Sequence, residues 1–473
     1  MAALALAAIL VLLLRWTYPD GDTRFALAWG AELLHGGAPQ FGGLVPVKHP
    51  LTLLLGAATS LLPPSATIDA TAIGALLCFG VLAYASFSLG RSIAGPAAGA
   101  LAALVVLTRP ELVYAAIVAR KDLLFAALVI LAAALVARDP RRHWRWAMGL
   151  LVAGGLIRPE AWAITAVYAA WLLWRGQLSV GERRGVVAFA LAAPLLWAAT
   201  DLLLTGDPLD TPGSGSEAAA IEAAGFDESS SGPQTRGVRR LGGFLEIGIP
   251  GIIGWPATVA ALLVAVYELR RWRAGALGSS AAALGAIAGI LAAMLASAVL
   301  LNLLVLPLLE RFLIVAAVVI AVLAASAAGR TSKSPLLAAA LAVLVVGLVV
   351  AAPSDFDETR ALAERTEANR DDADQLASLL GRRRVARALE RCPRLQVGAN
   401  VRTSAQFARA TMAIELDVAT RDIAPRRRPQ LAKGMSIVAY KEPELARRMR
   451  RDDRAAPPRT VDRAGDWDFV SAC

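Results

Sequence analysis

Two carboxylates separated by one glycine, Asp20 and Asp22, sit in the turn Tyr18-Pro-Asp-Gly-Asp-Thr-Arg-Phe25, at the end of the first apolar stretch. Lys48-His49-Pro50 closes the same polar segment. Further charges fall at the ends of later apolar runs: the Arg120-Lys121-Asp122 cluster, Arg158-Pro-Glu160, Asp201 and Glu310-Arg311. A carboxylate can take a proton from an attacking hydroxyl or amine, and a guanidinium offers phosphate a fixed fork of donors. Together these residue types suit a substrate that combines an anionic head with hydroxyl groups. Any one of them alone reads as interfacial charge that snorkels or pairs locally. The functional reading comes from all five groups falling on one face once the spans are drawn, because isolated ions in lipid are costly unless they face water or a partner.

The elements that must hold these residues are membrane helices. Hydrophobic residues make up 57% of the 473-residue chain and charged residues only 18%. Runs such as Ala281–Val305, Phe312–Ala328 and Pro335–Ala352 approach or exceed the ~20 residues that cross a hydrocarbon core. Apolar segments fall at about 2–14, 69–89, 96–108, 122–137, 147–157, 160–174, 186–203, 248–268, 281–305, 309–328 and 335–352. Leu51–Leu62 reads as a short in-plane or re-entrant helix ending at Pro63-Pro64. The first segment lacks a basic start and a small-residue cleavage site, so it reads as a true first helix and not as a signal peptide. The expectation is an all-α polytopic membrane domain of about 11 transmembrane helices over residues 1–352, followed by a small C-terminal extracytoplasmic α/β or α+β domain over 353–473.

Arg-rich connections at Arg138–Trp146, Arg175–Arg184, Arg270–Arg273 and Gly329–Ser334 mark the cytoplasmic side by the positive-inside rule. The N-terminus is then inside, and Asp20–Pro50, Asp201–Arg240 and the tail lie outside the cytoplasmic (inner) membrane. Thr211–Gln234, rich in Gly, Ser, Glu and Ala, reads as an outer linker or a loop gating a cavity. The tail begins with a helix-prone stretch, Asp355–Arg391, and β-prone runs follow at Leu395-Gln-Val and Met435–Tyr440. Half of the 48 Lys and Arg lie after Pro353, beside many acids, so the net charge of +10 mostly describes a solvated surface. Nucleic acid is excluded as the partner of an outward domain, and membrane lipid head groups are the better match. Cys392 and Cys473 are placed to form a disulfide, and with three His and no CxxC a zinc site is excluded.

Several motifs together resemble the GT-C membrane glycosyltransferases, such as the aminoarabinose transferase of lipid A and the protein O-mannosyltransferases. They are the acidic first loop, Ala31-Glu-Leu-Leu-His-Gly36, His49-Pro-Leu51, Ala119-Arg-Lys-Asp-Leu-Leu124, Gly155-Leu-Ile-Arg-Pro-Glu160, Leu204-Thr-Gly-Asp-Pro-Leu209 and Glu310-Arg-Phe-Leu-Ile314, spread over residues 1–330. The resemblance implies transfer of a sugar from a polyprenyl-phosphate donor to a glycan, lipid or protein acceptor at the outer face. It assigns the base to Asp22, with Asp20 as the alternative, and a second acid to Asp122. Arg311 would hold the carrier phosphate, with Arg158 or Lys48 as further candidates, and Arg120, His49 and Glu160 complete the substrate-binding set. The usual adjacent Asp-Glu pair is here Asp20-Gly-Asp22. No cofactor is expected and no metal is predicted, although two carboxylates one residue apart could share a divalent cation.

Three other classes fit the composition. A transporter or flippase of lipid-linked sugars would show internal repeats, and none is found. An O-antigen ligase or polymerase carries its main outer loop late in the chain, not early. A non-catalytic cell-envelope assembly protein, with the tail as a binding module, remains as the last.

Overall fold

The computed structural model describes residues 16–39, 41, 46–175, 178–211, 238–303, 310–331, 334–392, 394–398, 402–416, 418, 420, 423–426, 435–440 and 459–471. The expected first span at 2–14, the loop from 212 to 234 and Cys473 lie outside the described residues.

Short-range sequence signals explain half of the helix starts. Proline stands in the first turn of α2 (Pro50–Thr59), α3 (Pro64–Ala94), α4 (Pro96–Thr108), α5 (Pro110–Ile117), α11 (Trp255–Arg273) and α14 (Pro335–Leu380). At that position its missing N–H costs nothing and its fixed φ is already helical. Asp20 caps α1 (Gly21–Leu34) by accepting from Thr23 N. Ser179 and Glu182 form a reciprocal capping box at α9 (Val180–Thr205). The remaining helices are α6 (Lys121–Arg138), α7 (Trp144–Gly155), α8 (Glu160–Arg175), α10 (Val238–Ile253), α12 (Ala281–Leu303), α13 (Ile314–Ala325), α15 (Arg383–Arg391) and α16 (Arg402–Leu416).

Among the described residues, five helices are long and apolar enough to cross a membrane. The count rises to seven if two bent pairs, α4 with α5 (63°) and α10 with α11 (108°), are each one span. The eleven spans expected from hydropathy are not confirmed among the described residues, and the first of them lies outside those residues. The segments expected near 147–157 and 160–174 form helices of only 12 and 16 residues. At 1.5 Å per residue these rise roughly 18 and 24 Å, short of a ~30 Å hydrocarbon layer.

The boundary drawn at 352/353 falls inside α14, which continues unbroken to Leu380. Beyond it lies a five-stranded sheet of β1 (Arg394–Gly398), β2 (Ile423–Arg426), β3 (Met435–Tyr440), β4 (Arg459–Ala464) and β5 (Trp467–Ser471). Its order is β2-β1-β3-β5-β4. The β1 strand pairs parallel with β2 and β3, while β5 pairs antiparallel with β3 and β4. Leu376, Leu379 and Leu380 of α14 pack with Met412 of α16 and with Leu395, Val397 and Phe469 of the sheet. Cys392 is buried and disulfide-bonded.

Two contacts fix α1, the helix that carries the acidic pair. On one side it lies backbone to backbone on α2: a Cβ on Gly30 would stand 2.2 Å from Ala57 N, and one on Gly56 2.2 Å from Ala26 O. On another side Phe25 and Trp29 pack with Ala410 of α16, in a cluster shared with Phe41 and Leu53. Since this close approach leaves no room for a methyl, Gly56→Ala must push α1 away. We expect it to lower stability by about 1–3 kcal/mol, the usual range for overpacking, measured by thermal unfolding of the purified protein.

Candidate functional site

The segment Tyr18–Thr23 is stitched to the turn that precedes α6. Tyr18 N donates to Ile117 O (3.0 Å), Asp20 N to Val118 O (2.8 Å) and Thr23 Oγ1 to Ala119 O (2.9 Å). That turn closes α5 with two bonds, Arg120 N to Ala115 O and Ala119 N to Ala116 O. This is a Schellman cap, whose left-handed position usually holds glycine. Here it holds Ala119, with φ +48°. The strained turn delivers Arg120, Lys121 and Asp122 beside the acidic pair.

Asp22 is the centre of the first ion cluster. Its Oδ2 lies 3.0 Å from Arg311 Nη1 and 3.3 Å from Lys121 Nζ. Asp20 Oδ2 lies 4.0 Å from Arg120 Nε, and the Arg120 guanidinium stacks over the Tyr114 ring. The two neighbouring acids diverge in proton affinity. Burial pushes the Asp22 carboxyl up, but Lys121, Arg311 and His49 outweigh it and hold the group well below the usual carboxylate range. Asp20 is pushed above its ordinary value by burial and by the charge of Asp22. In this state Asp20 is the stronger base and Asp22 a locked anion.

A second, deeper cluster adjoins the first. Arg158 is paired with Asp122 and lies 3.3 Å from Glu160 Oε1, and all three residues are buried. The consecutive residues Arg311 and Phe312 link the clusters, since Arg311 reaches Asp22 while the Phe312 ring receives the Arg158 guanidinium at 4.6 Å. Asp22, Asp122 and Glu160 each stand in the first turn of a helix, α1, α6 and α8. There the helix dipole favours negative charge. Apart from Asp122 Oδ1, which is ion-paired with Arg158, four buried polar atoms around this network have no hydrogen-bond partner among the described residues: His49 Nδ1, Arg158 Nε, Glu160 Oε2 and Arg311 Nε. Such groups are expensive to bury unsatisfied, so their grouping here makes this a candidate place for a polar ligand.

Of the residues expected from sequence, the structure brings together Asp20, Asp22, Arg120, Asp122, Arg158, Glu160 and Arg311. His49 joins them, feeling Lys121, Arg158, Asp22 and Arg311, with its ring edge-on to Trp197. Lys48 does not join. It is buried against Asp201 (3.3 Å) and Asp210, beside the Phe41 ring. Asp201 in turn accepts from Thr211 N and Oγ1. Lys121 was visible in the cluster but not singled out. Trp162 and Trp197, edge to face at 5.7 Å, gave no sequence signal beyond their hydrophobicity. Nor did Arg24, fully buried, whose Nε donates to Pro19 O and Nη1 to Thr411 Oγ1 of α16. Among the described residues no group of His, Cys, Asp and Glu has the arrangement of a metal site. An apolar cavity of about 430 Å³, lined by Val129, Ala133, Tyr168 and Gly289, lies apart from the ion clusters.

No family model matches the chain, and no curated protein matches it. Among solved structures it is similar to the oligosaccharyltransferase of Archaeoglobus fulgidus in its apo form, at 14% identity and a TM-score of 0.48. The match covers 87% of this chain and 63% of that one, so the chain spans less than two thirds of that protein's length.

Two outcomes follow from the local chemistry. Glycine adopts φ +48° without the Cβ penalty, so Ala119→Gly should raise the unfolding free energy by about 1 kcal/mol in denaturant titrations. His49 is pushed well below its ordinary range by burial, reinforced by Lys121 and Arg158. The unfolded chain therefore takes up this proton first as pH falls below about 6.5, and the native state loses stability there. Between pH 6.5 and 5 the decline should be shallower in His49→Gln, read as unfolding free energy against pH.

Proposed function

We propose that the protein is a membrane glycosyltransferase that moves a sugar from a polyprenyl-phosphate carrier to a hydroxyl or amine acceptor. The observation that carries this reading is a single one. At one end of a bundle of apolar helices, the Asp20–Asp22 pair stands against two cations, Lys121 and Arg311, that could receive a phosphate. The site then holds an acid–base group and an anion clamp within one side-chain length of each other. Four unsatisfied polar atoms around them suit the hydroxyls of a sugar.

The reaction follows from that arrangement. The donor reaches the site from the bilayer, and its phosphate lies against Arg311 and Lys121. An acceptor O–H or N–H gives its proton to a carboxylate of the acidic pair as its heteroatom bonds the anomeric carbon. The bond from that carbon to the phosphate oxygen breaks, and the electron pair leaves with the carrier phosphate, whose growing charge the two cations stabilise. A single displacement inverts the anomeric centre. In the Asp122–Arg158–Glu160 cluster two carboxylates compensate the buried Arg158 guanidinium. The second acid expected from sequence at Asp122 is thereby better read as a partner of Arg158 than as a base. A carrier exposed on the outer face of the cytoplasmic membrane, with the C-terminal region on the same side, completes the reading.

Substituting either acid separates the roles. Asp22→Asn should lower kcat in a purified assay with polyprenyl-phosphate sugar by at least about 10³-fold, in the range expected for a general base or its partner. Asp20→Asn should lower it by about 10–10²-fold, since it removes the neighbouring charge but spares the cation fork. Full activity in Asp22→Asn, at normal protein levels, would sink the proposal.

A further inference from the structure

Asp22 occupies the place an incoming phosphate oxygen would take. One carboxylate oxygen reaches both Lys121 Nζ at 3.3 Å and Arg311 Nη1 at 3.0 Å, two cations that come from opposite halves of the chain. The Lys121 side chain is 8% exposed and that of Arg311 30%, so the fork is accessible from the Arg311 side. Arg311 uses Nη1 on Asp22, while its Nε is buried with no hydrogen-bond partner among the described residues. A guanidinium binds phosphate best through two parallel donors, and only one is engaged here.

We propose that Asp22 is an internal stand-in for the donor phosphate, and that the phosphate of the sugar-loaded lipid carrier competes it off Lys121 and Arg311. This deepens the reading above and rests on it. The two anions cannot both hold the fork, so donor binding and release of Asp22 are one event. While locked, Asp22 is held far below the usual carboxylate range by the cations, after burial has been offset. Released from them and still buried, it regains affinity for a proton. An acceptor arriving first meets a carboxylate that will not take its proton, whereas one arriving after the donor meets a competent base. The order of binding, donor then acceptor, is built into the site. Asp20 stays bonded to Thr23 N in both states and keeps the start of α1 in place.

The consequence runs against the usual expectation for a site residue: removing Asp22 should strengthen binding of the phosphate. Geranyl phosphate serves as the probe, titrated against full-length wild-type protein and Asp22→Asn in nanodiscs. Inorganic phosphate and geraniol provide parallel arms that separate the phosphate group from the lipid tail. We expect geranyl phosphate to bind Asp22→Asn about tenfold or more tightly than wild type, in keeping with coupling between close charge pairs. Inorganic phosphate should shift in the same direction and geraniol should not shift. Arg311→Met should weaken both phosphate probes. Equal or weaker binding by Asp22→Asn overturns the proposal, as does a shift that geraniol shares. Should Asp22→Asn fail to accumulate as folded protein, Asp22→Ser removes the same anion and carries the same expectation. Tighter binding in a protein that transfers no sugar would leave this inference standing and reject the reading above. Asp22-dependent transfer with unchanged phosphate affinity would do the reverse.

Discussion

One carboxylate oxygen shared by two cations is the constraint around which this end of the molecule is arranged. Asp22, Lys121 and Arg311 come from segments that are distant in the chain, and each belongs to a different helical element. Taking such charges out of water is costly, and their mutual attraction repays this only when the geometry is close. The site therefore depends on how accurately three helix starts are placed. That explains why so much of the local structure is backbone to backbone. Three bonds tie residues 18–23 to 117–119, and glycines at 30 and 56 let α1 and α2 touch. Ala119 accepts a left-handed backbone for the same reason: without that turn, Lys121 would not face Asp22. Strain of this kind persists where the surroundings over-determine it.

Charge compensation extends in layers from that point. Behind the half-buried pair, Asp122, Arg158 and Glu160 form a buried trio in which one guanidinium faces two carboxylates, and Phe312 covers the guanidinium face. The far end of the bundle uses the same device, with Glu268 bound by Arg271 and Arg330. The two ends differ in one respect. At the far end Arg330 also caps Ile93 O and Arg271 donates to Ala276 O, so these guanidiniums are spent on structure. Around Asp22 several polar atoms stay unused among the described residues. Similar charge with unequal satisfaction sets the candidate site apart from the structural ion network at the far end.

How much of this was legible in the chain depends on the range of the interaction. Charges at the ends of apolar runs stand out locally, so Asp20, Asp22, Asp122, Arg158 and Arg311 could be named from residue type and position. Which charge meets which could not, because pairing is set by packing over long separations. Lys48 shows the failure plainly. It adjoins His49 in extended backbone (His49 φ −130°, ψ 120°), where successive side chains point to opposite sides. His49 turns to the ion clusters and Lys48 turns to Asp201 and Asp210. Sequence proximity had grouped what the backbone separates. Hydropathy likewise counted α7 and α8 as spans, because an apolar composition scores the same whether or not the helix is long enough.

The C-terminal region bears on the site through a route that no local pattern could reveal. Arg24 is fully buried on the far side of α1 from the cations, and burial lowers its proton affinity to a pKa of about 10, so it remains charged. Its guanidinium donates to Pro19 O, immediately before the cap of α1, and to Thr411 on α16. One helix turn further on, Trp29 Nε1 donates to Thr420 Oγ1, and Thr420 donates to Glu32. The bonds to Thr411 and Thr420 join residues nearly the whole chain apart, and all of them bear on the helix that presents Asp22. With α2 against one face and α16 against another, α1 cannot rotate or slide without breaking contacts in both. No described residue after 392 reaches the ion clusters, yet the position of their central carboxylate is set by Ala410, Thr411 and Thr420 as much as by its own loop. A region that reads from sequence as a solvated appendage is thus the back wall against which the acidic helix is held.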